Sequence, residues 1–368
     1  MTFQRYLLVI CVSLVFSLGL VMIFDTSSAD VLDRSLATST HNALIRQILY
    51  ALFGIVIAGV THLIGYKMLL KVSFYLVFIC TILLILVFVP GIGKIINGAR
   101  RWVGIGMYTI QPSEFAKYFI PMFYIHIFLS KRGTPWSRKE YIFAALTVGI
   151  PTLLIFLEPD TGTTAILGAL VLMLLFITKI NLRYWALPFC ILMLLGGVAA
   201  YNIPYIRGRI AVYLNPELDI LGKGHQPYQA KIAAGSGGFV GKGIGKSIQK
   251  LSYLPEAQND YIAAIYAEEF GFIGILILIT LYMIIAYVGF DIAHHANDVA
   301  GMYLAVTITF LIALQAFLNL GVVSGLLPST GLNLPFFSQG GTSLLSNIIG
   351  VGLLLNIADS PKDSQEIS

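Results

Sequence analysis

The chain has 368 residues, of which 57% are hydrophobic and 11% charged, with a formal net charge of +5 and a mean hydropathy of +0.85. A water-soluble fold cannot hide that much apolar surface, so the chain belongs in a bilayer. The same figures exclude disorder, a coiled coil and a disulfide scaffold.

A helix needs roughly 20 apolar residues to cross a hydrocarbon core of about 30 Å. Ten such runs follow in chain order: 4–24, 47–64, 70–90, 114–130, 141–157, 161–178, 184–202, 262–288, 300–322 and 342–358. The first is longer than the apolar core of a signal peptide and nine more follow it, so it is expected to stay as an uncleaved helix. The expected fold is an all-α integral membrane protein, one polytopic domain over 1–368 with ten transmembrane helices and both termini cytoplasmic. A large extracytoplasmic loop, 203–259, separates helices 7 and 8, and 359–368 form a short cytoplasmic tail.

The orientation comes from the short loops. Arg5, Lys67, Lys71, Lys131, Arg132, Arg138, Lys139, Lys179 and Arg183 fall on one side, which the positive-inside rule makes cytoplasmic. The opposite face also carries cations, notably Arg100, Arg101 and seven in 203–259. Cations held there against the topological bias point to an anionic partner.

Cys11, Cys80 and Cys190 each lie in an apolar run and are expected to be buried small hydrophobes. The six histidines show no metal-ligand spacing, so no zinc site is expected.

Arg100 and Arg101 precede Trp102. They are either headgroup anchors or a guanidinium pair able to fork onto diphosphate oxygens. In the start of the fourth run, Gln111 to Lys117, Glu114 and Lys117 share a helix face. They form an ion pair, or Lys117 contacts a phosphate. Glu158-Pro159-Asp160 is a polar turn, or an acidic pair that holds a cation or orients a neighbouring Lys or Arg. The glycine-rich stretch 235–247 ends like a phosphate-binding loop, but that motif needs Gly where Val240 stands, which excludes nucleotide binding. A flexible loop, or amides and lysines near a lipid headgroup, remain. Asp260 is placed to be either an N-cap of the eighth helix or a general base at the water–bilayer boundary. Glu268 and Glu269 lie about two turns deeper, where acids pair within the bundle or serve function.

Taken together, GARRW (98–102), QPSEFAK (111–117), EPDTG (158–162), SIQKLSYLPEAQNDY (247–261), AEEFG (267–271) and GLLPSTGLNLPFFSQGG (325–341) resemble the SEDS (shape, elongation, division and sporulation) family. SIQKLSYLPEA and GLNLPFF resemble its division branch more than its elongation branch. Where that branch usually reads PEAHTDF, this chain has Gln258, Asn259 and Tyr261; where it usually reads SYGG, this chain has Gln339.

The resemblance implies a ten-helix inverting peptidoglycan glycosyltransferase that polymerises lipid II into glycan strands at the outer face of the bacterial inner membrane, at the septum. It implies Asp260 as the base that deprotonates the acceptor sugar 4-hydroxyl, with Arg101, Trp102, Glu114, Lys117, Asp160 and Glu256 around the substrate. An unperturbed Asp, at a pKa of about 3.9, is a weak base for an alcohol, so its surroundings matter. Arg101, Lys117 or a divalent cation such as Mg2+ would stabilise the leaving diphosphate. The implied partners are lipid II, the nascent strand, membrane lipids, a class B penicillin-binding transpeptidase and other division proteins, with no nucleic acid. A lipid II flippase or a noncatalytic division scaffold are the alternatives. The enzymatic reading requires Asp260 to share a cavity with Arg101 and Lys117.

Overall fold

The computed structural model describes residues 2–34, 41–96, 99–105, 108–131, 137–180, 190, 197–198, 201–202, 204–214, 222, 224–251, 254 and 257–360. In chain order its elements are α1 (Thr2–Arg34), α2 (Asn42–Ile64), α3 (Tyr66–Val87), β1 (Gly93–Ile96), β2 (Ala99–Ile105), β3 (Tyr108–Ile110), α4 (Pro112–Ser130), α5 (Arg138–Leu157) and α6 (Thr161–Ile177). There follow α7 (Pro204–Leu214), α8 (His225–Ser236), α9 (Ile262–His294), α10 (Val299–Val323) and α11 (Gly341–Asp359). Nine of the ten expected runs are therefore helices, and the tenth, 184–202, falls largely outside the described residues, as do Glu256 and most of the 359–368 tail. Among the described helices, seven (α1, α2, α3, α5, α9, α10 and α11) are long and apolar enough to cross a membrane.

Local chemistry sets several helix starts. Ser137 and Glu140 form a capping box at α5, Asp160 accepts the Thr163 N–H at 3.3 Å to open α6, and Asp298 accepts the Gly301 N–H at 2.6 Å to open α10. Packing then sorts the helices. The principal pairings are α2 with α11, α9 with α10, α3 with α4 and α1 with α9. The spans α10 and α11 are the most enclosed, whereas α2 and α5 expose apolar faces such as Leu49, Phe53 and Leu153, as lipid-facing helices do. Arg5 and Asp359 form an ion pair, so the start of α1 and the end of α11 lie at the same end of the bundle.

Three features depart from the expectations. The chain is not purely α: β1, β2 and β3 form an antiparallel sheet between α3 and α4, in strands of three to seven residues too short and glycine-rich to show an alternating pattern. The 203–259 segment carries two helices, of which α8 packs along α9. Cys11 and Cys80 are buried, but Cys190 is exposed.

The glycine-rich stretch after α8 is docked against α9 rather than a free loop. Helix α9 is broken at Gly271 (φ 64°, ψ −161°), and the stretch docks into the break. Lys242 and Gly243 donate N–H bonds to the carbonyls of Glu268 and Glu269, both at 3.0 Å; Phe272 and Ile273 donate to the carbonyls of Gly238 and Phe239 at 3.0 and 3.2 Å. Backbone groups freed by a break within a membrane-spanning helix must find partners in protein, and these are the partners. The approach is so close that a β-carbon on Gly271 would lie 2.4 Å from the Gly241 nitrogen.

Buried acids lock the same stretch. Glu268 accepts from Lys242 at 2.6 Å and Ser247 Oγ at 2.5 Å. Glu269 accepts from the Ser247 N–H at 3.1 Å and from Lys250 at 2.8 Å, and Lys250 also reaches Asp25 of α1 at 2.6 Å. The two acids thus do structural pairing in this bundle.

Candidate functional site

The sheet positions the first functional side chain. In the β1–β2 ladder Lys94 faces Trp102 and Ile95 faces Arg100, so Arg101 is the extra, unpaired residue of a bulge. A bulge re-aims a side chain, and Arg101 turns inward to 8% exposure while Arg100 points out and Trp102 is half-buried. Its Nε donates to the Glu158 carbonyl at 3.3 Å and its Nη2 to the Pro159 carbonyl at 2.5 Å. Nη1 lies 3.9 Å from the Asp160 carboxylate. The acidic turn therefore orients an arginine. Asp160 is itself fixed, accepting from Gln111 Nε2 at 3.2 Å and Ser113 Oγ at 3.3 Å.

The N-cap position of α9 is Tyr261 rather than Asp260, and the Tyr261 side chain makes no cap bond. The carboxylate instead approaches Gly331, which has a φ of +74° that favours glycine. A β-carbon at Gly331 would lie 3.8 Å from Asp260 Oδ2, 3.8 Å from Arg101 Nη1 and 3.7 Å from Arg209 Nη2. One carboxylate and two guanidiniums thus converge on one side-chain-free point of the 325–341 loop. Arg209, on α7, is held by donating Nη1 to the Ser329 carbonyl at 2.9 Å. It is partly buried, as Asp260 is, and sequence reading had it only as one of seven cations.

Glu114 and Lys117 form a second, deeper cluster. Lys117 is fully buried, 2.8 Å from Glu114 Oε2 and 2.9 Å from Gln315 Oε1. Ser346 adds a contact to Glu114 at 3.4 Å. The ion pair expected from their spacing is what forms, so the expectation that Asp260, Arg101 and Lys117 share one site is corrected: Lys117 is engaged by Glu114 and Gln315, and the second cation beside Asp260 and Arg101 is Arg209.

Two residues not singled out from sequence tie the clusters together. On α10, Gln315 donates to the Asn333 carbonyl at 2.8 Å, and Asn319 donates to the carbonyls of Asp260 and Leu332 at 2.8 and 2.7 Å. Their i, i+4 spacing inside an apolar span was the available signal, since buried amides in a membrane helix need partners. On α2, buried Gln47 does the same for the Ser338 carbonyl at 3.1 Å.

Beside this loop runs a groove of about 1140 Å³ between α2, α3, α4 and α11, with apolar walls that include Leu49, Phe53, Phe115, Phe119 and Met122. It follows α2 from Asn42 to Thr61, about 28 Å of helix at 1.5 Å per residue, close to the thickness of a hydrocarbon core. Its lining includes Gln339, whose N–H donates to the Gln258 carbonyl at 3.0 Å. The groove thus ends against the segment that carries Asp260.

The profile of the FTSW_RODA_SPOVE family, described as cell cycle protein, matches residues 5–363. The chain is 38% identical over 361 residues to the probable peptidoglycan glycosyltransferase FtsW of Coxiella burnetii, covering 95% of each chain. It is 38% identical over 355 residues to the stage V sporulation protein E of Bacillus subtilis, covering 96% of each. Among solved structures it resembles a chain described under structural coordination of polymerization and crosslinking by a peptidoglycan synthase complex. That match has a TM-score of 0.74 and 27% identity, covering 95% of this chain and 96% of that one. It also resembles the rod shape determining protein RodA of Thermus thermophilus, with a TM-score of 0.68, 25% identity and 95% of each chain covered.

Proposed function

This chain belongs to the FtsW/RodA/SpoVE family of cell cycle proteins, and from that membership we propose that it is a peptidoglycan glycosyltransferase that polymerises lipid II during division. The observation that carries the catalytic reading is the convergence of Asp260, Arg101 and Arg209 on Gly331, in the 325–341 loop whose Gln339 lines a groove of membrane length. An apolar groove suits a polyprenyl chain, and paired guanidiniums suit the diphosphate at its head.

In this reading Asp260 takes the proton of the acceptor sugar 4-hydroxyl as that oxygen attacks C1 of the donor glycan. The new C1–O4 bond forms with inversion, and the bond from C1 to the diphosphate breaks. Arg101 and Arg209 meet the charge that develops on the departing diphosphate; donors already fixed by carbonyls need little reorganisation. Lys117 and Glu114 support the loop that shapes the site, since Gln315, which accepts from Lys117, donates to the Asn333 carbonyl. Among the described residues no three His, Cys, Asp or Glu side chains assemble. The described donors alone do not make a protein-held site for a divalent ion, and no step is routed through one.

In this reading the termini are cytoplasmic and the site lies outside, an orientation supported by the cations of the short loops. The partner in this proposal is a class B penicillin-binding transpeptidase, since one relative by structure is a chain of a peptidoglycan synthase complex.

Purified protein, with and without the transpeptidase, tests the reading on lipid II, with translocation measured in parallel. Asp260→Asn should cut glycan polymer by roughly 10²–10⁴-fold, the usual worth of a general base, while the protein stays folded. Undiminished polymer from that variant removes Asp260 as the base. Translocation without polymer points to a flippase.

A further inference from the structure

The turn that holds Arg101 contains a second acid that the mechanism above does not use. Glu158 is 1% exposed, and neither of its carboxylate oxygens has a hydrogen-bond partner. Its carbonyl grips Arg101 Nε, but its carboxyl is turned into the protein, within electrostatic reach of Cys80 of α3. The neighbouring charged groups are Arg101 of β2 and Asp160 at the start of α6. From α4, Glu114 and Lys117 are engaged with each other and with α10 and α11, and Ser113 and Gln111 are engaged with Asp160. Among the described residues no donor bonds the Glu158 carboxyl, and an ionised carboxylate buried without one is far more costly than the neutral acid.

We propose that Glu158 is a positioning residue held as an uncharged carboxylic acid, and that its neutrality leaves the Arg101 guanidinium to be shared between Asp160 and an anionic substrate. The proposal rests on the diphosphate-binding role given to Arg101 above. If Glu158 were ionised, the nearest unshielded cation would be Arg101, and pairing between them would draw the guanidinium off the point it shares with Asp260 and Arg209. Burial, followed by the charge of Asp160, lifts the Glu158 carboxyl to about 9 against the opposing pull of Arg101, so the group is protonated at neutral pH. A folded pKa raised above the unfolded value of about 4.3 means that the folded state keeps a proton the unfolded chain has released. Stability is therefore lost progressively as pH rises between those two values, and the loss levels off above about 9.

Glu158→Gln removes the ionisation and keeps the shape. Thermal unfolding of the full-length protein in nanodiscs is the first measurement. The midpoint of Glu158→Gln relative to the unmodified protein should rise steadily from about pH 5 to about pH 9. A difference independent of pH, or a variant that does not fold, overturns the proposal, because a neutral isostere of a neutral acid should be accepted. The second measurement is polymerisation of lipid II, each protein compared with itself at about pH 8 and about pH 10. The unmodified protein should lose roughly tenfold across that step and Glu158→Gln less than about twofold. Equal losses in both overturn the proposal while leaving the glycosyltransferase reading intact. Absence of polymer from the unmodified protein at every pH fails that reading instead, and the unfolding measurement still decides the charge on Glu158.

Discussion

The main-chain N–H of Gln339 donates to the carbonyl oxygen of Gln258 at 3.0 Å. These are two of the positions at which the chain departs from the usual pattern of the division branch, which has a His and a Tyr there. They lie on different loops, 81 residues apart in sequence, and meet at the junction between the apolar groove and the Asp260 segment. A residue pair in contact is expected to be coupled.

The double-mutant cycle of Gln258→His and Gln339→Tyr should therefore be non-additive in the polymerisation rate, with an interaction energy of about 0.5–3 kcal/mol, the range for residues in contact. Each single change places a new ring beside the main-chain bond that joins the two segments. Strict additivity would mean that the two sites adapted independently.

Arg101 donates to two backbone carbonyls and Arg209 to one, and each turns a remaining guanidinium nitrogen toward Gly331. A lysine ammonium is a single point and cannot do both. Arg101→Lys and Arg209→Lys should each weaken lipid II binding, measured by equilibrium titration, by about 10-fold or more, as expected for losing a charge-assisted bond worth about 1.5–3 kcal/mol. Unchanged binding in Arg209→Lys would place that side chain outside the substrate site.

Lys117 has no exposed surface, and its ammonium sits between Glu114 and Gln315. Removing one partner of a buried ion pair leaves an uncompensated charge and costs about 3–5 kcal/mol, whereas removing both charges costs far less. Lys117→Met should lower the unfolding midpoint sharply, and the double variant Glu114→Gln with Lys117→Met should recover most of it. A Lys117→Met protein as stable as the parent but weaker in lipid II binding would put the ammonium on the substrate.

The membrane class, nine helical runs within the described residues and the list of ionisable groups worth attention were all legible in the chain. Apolar run length and residue type are local properties, and a bilayer enforces them residue by residue. The segments bearing the family resemblance also singled out Asp260 and Arg101, which the structure brings together at Gly331. What composition and spacing left open was the role of each charge. The bulge that turns Arg101 inward exists because two short strands pair with one residue to spare. Glu268 and Glu269 serve as anchors because a glycine-rich stretch 20 to 30 residues earlier in the chain folds back onto the Gly271 break. Arg209 stands apart from the other cations of its segment because the 325–341 loop supplies a carbonyl at Ser329 and a bare backbone at Gly331. An ion's partner is set by distances across the fold, and in a low-dielectric interior those distances decide whether a charge holds the structure together or is left for a substrate.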